Sequence, residues 1–271
     1  MELLIDDGGA RLAPGRRSQP PALNTHSHTP IGLPGLDALC GGGLATGAGV
    51  LLEHDGQAHL TALYGAMFDA AIEQGFALVL VPTIRLRPQG VATILEGRGH
   101  DLDSLLAGDQ LFVLDMIGAW DEARRNVFGA RETAAGVQAE LDAIRDRGGD
   151  DRLFSLINAD AMYDTLGGAD ARRVRYFQEA SLLGPDDMLV HVHNPAVTDD
   201  ATSSFYRNTA EQVVQTHVAD DGLQYVSLRK SPCGFVGTTS LVEYVEEPPY
   251  LRIQRPPQDR DNPYARDGPD D

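Results

Sequence analysis

Thr29-Pro-Ile-Gly-Leu-Pro-Gly-Leu-Asp37-Ala-Leu-Cys-Gly41-Gly-Gly43-Leu-Ala-Thr-Gly47 is the stretch on which the fold reading turns. Its run of glycines, Gly41 to Gly43, permits the positive φ angles of tight turns, which bring a short helix back against the strand that follows. That strand is Gly49-Val-Leu-Leu52. Outward from it, short β-rich runs alternate with helical patterns. A helix is predicted from about Ala58 to Gln74, where Leu60, Leu63, Tyr64, Met67, Phe68 and Ala71 recur at helical spacing. Phe76–Val81 reads as a buried strand, a helix around Gly90–Gly97 leads to a strand over Gln110–Asp115, and a loop carrying Trp120 precedes a helix from about Glu132 to Arg147. Strands over Leu153–Ile157 and Met188–His193 bracket a helix over Asp170–Leu183. A helix over Thr202–Gln212 is followed by a hairpin, Val213–Val218 and Leu223–Leu228, whose turn is marked by Asp220-Asp-Gly222. This order predicts an α/β fold with a mainly parallel sheet, helices on both faces and an antiparallel C-terminal edge hairpin.

The opening stretch resembles that of KaiC-like, RecA-superfamily ATPases, in which a Gly-(Ile/Leu)-Pro-Gly-Leu-Asp segment and a Gly-Gly-Gly turn lead into the first core strand. The similarity covers roughly residues 29–245, strong at its start and thin after Val81. It implies a RecA-like P-loop core over residues 29–247, while composition alone reads residues 1–28 as a flexible N-terminal arm and residues 248–271 as a disordered, acidic, Pro-rich tail. In that family the first strand runs into a phosphate-cradling loop, Gly-x-x-x-x-Gly-Lys-(Ser/Thr), whose backbone N–H groups hold phosphate, whose lysine neutralises it and whose hydroxyl binds Mg²⁺. The resemblance therefore implies an ATP and Mg²⁺ site at Glu53-His-Asp-Gly-Gln-Ala-His-Leu60.

The residues there depart from the family pattern. Glu53 stands for the first Gly, Ala58 for the second, His59 for the Lys and Leu60 for the Ser/Thr; only Gly56 and Thr61 agree with it. Glu53 and Asp55 put carboxylates beside a triphosphate, and Gln57 brings no charge. Leu60 cannot ligate a metal. Relatives follow the second core strand with water-activating glutamates, where this chain reads Val81-Pro-Thr-Ile-Arg85. Asn158 occupies the position of the Walker-B aspartate, with Asp160 and Asp115 as the nearest carboxylates. Lys230 matches the family's basic residue that reaches a neighbouring subunit's nucleotide. The expectation is a catalytically degenerate protein with weak or lost ATP binding, a regulatory or scaffolding subunit partnered by itself or by an active relative. An alternative is an active ATPase with a rearranged loop using Thr61, in signalling or DNA recombination and repair. A third reading assembles a zinc site from His191, His193 and either His54 or His59. Arg172, Arg173 and Arg175 with Tyr176 read as an exposed basic helix face. Neither a Gly-x-Ser-x-Gly elbow nor a cysteine beside a base is visible along the chain.

Charge sets the remaining bounds. Acidic residues number 40 against 22 basic ones, a formal net charge of −18, and Lys230 is the sole lysine. This aspartate-rich, lysine-poor pattern resembles haloarchaeal proteins. It argues against nucleic acid as a partner, because phosphate binding needs clustered cations. The longest apolar run, Phe76–Val81, is far short of the roughly 20 residues needed to cross a bilayer, so no membrane partner is expected. With two cysteines, Cys40 and Cys233, and no basic, apolar leader at the start, the expected location is a reducing cytoplasm. Like charges repel over a screening length that shrinks to about 3 Å in molar salt. Thermal unfolding followed by circular dichroism is therefore expected to show a midpoint that rises from dilute buffer to molar KCl; a level or falling midpoint contradicts this.

Overall fold

The computed structural model describes residues 3–6, 9–12, 26–129 and 132–255. Within the expected arm, β1 (Leu3–Asp6) and β2 (Gly9–Leu12) pair antiparallel. The rest of the arm before His26 lies outside the described residues. The arm's last residue is already part of the fold: β3 (His28–Thr29) pairs with β4 (Leu44–Ala45) across α1 (Pro34–Leu39). Proline at the first turn starts α1, and Asp37 Oδ1 accepts from the Ile31 N–H at 2.9 Å, closing the turn on itself. Gly43 sits at φ +133°, where a Cβ would lie 2.1 Å from the Thr29 carbonyl oxygen. No side chain fits there.

The main sheet follows in order: β5 (Gly49–His54), α2 (Thr61–Glu73), β6 (Phe76–Val81), α3 (Pro88–Glu96), α4 (Leu102–Ala107), β7 (Leu111–Asp115), β8 (Val127–Gly129), α5 (Ala134–Gly148), β9 (Arg152–Asn158), α6 (Ala159–Leu166), α7 (Gly168–Phe177), β10 (Met188–His193), α8 (Asp200–Thr209), β11 (Gln212–Val218), β12 (Gln224–Lys230), β13 (Thr239–Tyr244) and β14 (Leu251–Ile253). The strands form one ten-stranded sheet in the order β14-β13-β12-β11-β5-β10-β9-β6-β7-β8. From β11 to β8 every pairing is parallel; from β11 to β14 every pairing is antiparallel. Buried parallel strands need apolar side chains on both faces, and all six residues of β6 are buried. On one face Val50, Leu52, Leu78 and Leu80 pack with α1 to α4; on the other Val79, Phe112 and Leu189 pack with α5 to α7, and Leu51 packs with Tyr206 of α8. The expected α/β sheet with helices on both faces is thus what the chain forms.

Several expectations change in detail. The helix expected from Ala58 begins at Thr61, because the residues before it are bound into a side-chain-closed turn. The helix expected over 170–183 ends at Phe177 and continues as a π-helical turn, Gln178–Leu182. The one expected to reach Gln212 stops at Thr209, since Gln212 is the buried first residue of β11 and its amide accepts from Ala45 N–H at 3.0 Å. The expected C-terminal hairpin, Val213–Val218 with Leu223–Leu228, is β11 with β12, and β13 and β14 extend it into the tail. Within the expected tail, Leu251–Ile253 is therefore a sheet-edge strand rather than free chain, and Leu251 and Ile253 bury their side chains in the core. The remainder, 256–271, lies outside the described residues. Gly35 of α1 abuts β14 so closely that a Cβ would lie 1.8 Å from the Ile253 carbonyl oxygen. Gly35→Ala is expected to lower the unfolding free energy by about 1–3 kcal/mol in denaturant titrations; an unchanged midpoint would mean that β14 does not seat on α1.

Candidate functional site

In an open parallel sheet, ligands bind beyond the carboxyl ends of the strands. Here those ends are His54 closing β5, Thr83 and Arg85 after β6, Asp115 closing β7, Asn158 closing β9, and His193 and Asn194 at the end of β10. The loop from β5 to α2 is closed by its own side chains. Asp55 Oδ1 accepts from the N–H groups of Gln57 at 2.9 Å and Ala58 at 2.8 Å, and its Oδ2 accepts from Val218 N–H at the end of β11, 2.7 Å away. The Gly56 N–H goes to His54 Nδ1 at 3.0 Å, and the His59 N–H to Gln224 Oε1 of β12 at 2.9 Å. Tyr244 of β13 donates to the same Gln224 oxygen at 2.7 Å, and its ring meets the His59 ring edge-on. Each N–H group from Gly56 to His59 thus has an acceptor within the chain. Leu60 points into the core, while Thr61 opens α2 on an exposed face.

The electrostatics follow these contacts. Partial burial works to raise the Asp55 carboxyl, but the Val218, Ala58 and Gln57 N–H groups outweigh it and hold the group below the ordinary carboxylate value. His54 is held below the usual imidazole range by burial, with His193 and Arg85 adding to the effect against Asp160 and Asp55. Since its Nδ1 accepts from Gly56, its ring proton sits on Nε2. Glu53 is buried, and Arg207 Nε of α8 donates to it at 2.6 Å.

The remaining expected residues are distributed as follows. Asn158 caps α6: its Oδ1 accepts from Ala161 N–H at 3.2 Å and its Nδ2 donates to the Pro82 carbonyl at 3.1 Å. Asp115 accepts from Ile117 N–H at 3.0 Å and Trp120 N–H at 2.7 Å, a turn closure. Asp160 accepts from His193 Nδ1 at 2.8 Å and from Asn194 N–H at 3.0 Å; His193 Nε2 then accepts from the Ser203 hydroxyl at 3.1 Å. Lys230 donates to the carbonyls of Asn208 and Ala210 at the end of α8. His191 and His193 do share one face of β10, both fully buried. His191 Nε2 pairs with Gln178 at 2.9 Å, and burial, reinforced by Arg175, keeps its ring far below the usual imidazole range. Among the described residues no cluster of three or more His, Cys, Asp or Glu side chains is placed to hold a metal.

Two placements correct the sequence reading. Arg175 is not on an exposed face: it is 1% exposed, donates to Glu179 at 2.7 Å and lies over Gly49 of β5, where the absent Cβ leaves room for its guanidinium. And a cysteine does meet a base, since Cys233 Sγ and His28 Nε2 are 2.9 Å apart across 205 positions of sequence.

No family model matches this chain, and no curated protein resembles it in sequence. Solved structures do share its fold. The uncharacterized protein PH0321 from Pyrococcus horikoshii, in complex with an unknown peptide, matches with a TM-score of 0.64 at 10% identity, covering 84% of this chain and 100% of that one. The KaiC-like protein PH0186 from Pyrococcus horikoshii OT3 matches with a TM-score of 0.62 at 16% identity, covering 84% of this chain and 99% of that one. The fold is therefore a KaiC-like, RecA-type fold. No helix of the described residues is long and apolar enough to cross a membrane.

The Asp55 contacts carry a pH signature. Because its folded-state carboxyl titrates below the ordinary 3.8, the stability it adds is complete above that value and fades as pH falls through the lower folded one. Asp55→Ala is expected to be less stable than the parent near neutral pH, with the gap narrowing below about pH 4. Chemical unfolding at several pH values checks this; a gap independent of pH would contradict it.

Proposed function

We propose that this chain is a KaiC-like protein that has given up ATP turnover and serves as a regulatory or scaffolding subunit, assembling with itself or with an active relative in a salt-rich cytoplasm. The observation that carries this reading is the Asp55 carboxylate lodged on the loop N–H groups. A phosphate loop works by offering unpaired N–H donors, a cation and a metal-binding hydroxyl to negative oxygens. In this chain the donors are taken, the lysine position is His59 with its ring against Tyr244, and the hydroxyl position is Leu60 in the core. The residues do not fit a Mg²⁺-bound triphosphate.

The neighbouring strand ends support the same reading. Thr83 and Arg85 stand where relatives carry water-activating glutamates, and Asn158 uses both ends of its amide to cap α6 and hold Pro82. The nearest carboxylate, Asp160, is held by His193 and Asn194 N–H.

The deciding measurement is isothermal titration with Mg-ATP in molar KCl. The expected result is no binding tighter than about 1 mM. Submillimolar binding, with turnover abolished by His59→Ala or Asp160→Ala, overturns the proposal in favour of the active ATPase.

A further inference from the structure

Cys233 follows the end of β12 in a half-buried loop and lies against the glycine turn that opens the fold. Its Sγ is 2.9 Å from His28 Nε2, 3.1 Å from the Cys40 carbonyl oxygen and 3.9 Å from that of Gly41, while its N–H donates to Ser231 Oγ at 3.3 Å. The loop is tied down by Phe235 N–H, which donates to the Leu39 carbonyl at 2.9 Å. Gly41 has no side chain, and a Cβ there would lie 2.7 Å from the sulfur. Cysteine reactivity belongs to the thiolate, so a thiol held beside a proton acceptor differs chemically from a buried one.

The chain supplies both cases. Cys40 is 0% exposed, and burial, with Asp37 nearby, pushes its thiol far up. His28 is held below the usual imidazole range by burial and by His26, so near neutral pH its ring is uncharged, and in its Nδ1–H tautomer the Nε2, 2.9 Å from the sulfur, faces the thiol as an acceptor.

We propose that Cys233 and His28 form an activated thiol, a site for modification by small peroxides. The reaction balances with the peroxide as oxidant. The sulfur attacks one peroxide oxygen, an S–O bond forms as the O–O bond breaks, and the thiol proton passes through His28 to the departing hydroxide. The products are Cys233 sulfenic acid and water, with sulfur oxidised by two electrons and the peroxide reduced by two. This site is independent of the nucleotide reading, since it lies near the other end of β5, beside β4.

The test exposes folded protein in molar KCl to dilute hydrogen peroxide with dimedone present and measures adducts at each cysteine by mass spectrometry. Expected is an adduct on Cys233 and none on Cys40, with His28→Gln slowing the Cys233 reaction by about tenfold or more. An equal rate in His28→Gln overturns the proposal. Should that variant unfold, which labelling of Cys40 would reveal, the parent decides alone: Cys233 reacting no faster than free cysteine overturns it, and reacting faster supports it.

Discussion

A strand that feeds a helix through a short loop leaves several backbone N–H groups without helical partners, and here the Asp55 carboxylate meets two of them, those of Gln57 and Ala58. Two of its three bonds stay inside the loop and the third reaches Val218 on β11, so the same group that satisfies the loop also fixes it to the next strand of the sheet. Gln224 and Tyr244 continue the chain of contacts onto β12 and β13. The loop is therefore braced from the antiparallel side, by strands from the last part of the described fold. Ala58 is buried in this loop, and leaving its N–H unbonded would cost about 1–3 kcal/mol; an aspartate in the loop is a compact way to avoid that cost where phosphate is not the acceptor.

The charged groups beneath the sheet follow a similar logic. Arg175 with Glu179 and Glu53 with Arg207 are paired because burial would otherwise penalise Arg175 and Glu53, and buried His193 hydrogen-bonds Asp160. A buried pair adds little net stability compared with apolar packing, but losing one member leaves a costly isolated charge. These pairs therefore fix which helix lies on which strand more than they strengthen the whole. In a chain with so few cations, each such pairing is a commitment: Arg175 is buried beneath α7 and Arg207 reaches from α8 to Glu53, while other acidic groups are left to solvent and salt.

The sequence made the central architecture legible for physical reasons that can be named. Phe76–Val81 can only be a doubly covered strand, and the Gly41–Gly43 turn admits few conformations. Short elements were not legible: β8 and β14 have three residues each, too few for a period to emerge, and β13 was hidden by its polar edge positions. Asp55 was visible as a negative charge but not as an acceptor for its own loop, although an Asp followed by Gly is a common turn-closing signal. Arg175 looked like its exposed neighbours, because charge alone does not show that a glycine across the sheet makes room for it. The meeting of Cys233 with His28 depends on the register of strands far apart in sequence, which no local pattern encodes.

The sheet order also bears on how the molecule comes to exist during synthesis on the ribosome. β5 is made early, yet its two neighbours, β10 and β11, emerge more than a hundred residues later, and α1 receives its β14 contact last of all. Until then an apolar central strand has both edges bare, a situation that invites slow assembly and stray pairing. The dense acidic surface keeps such half-made chains apart from one another while they wait for their own distant strands.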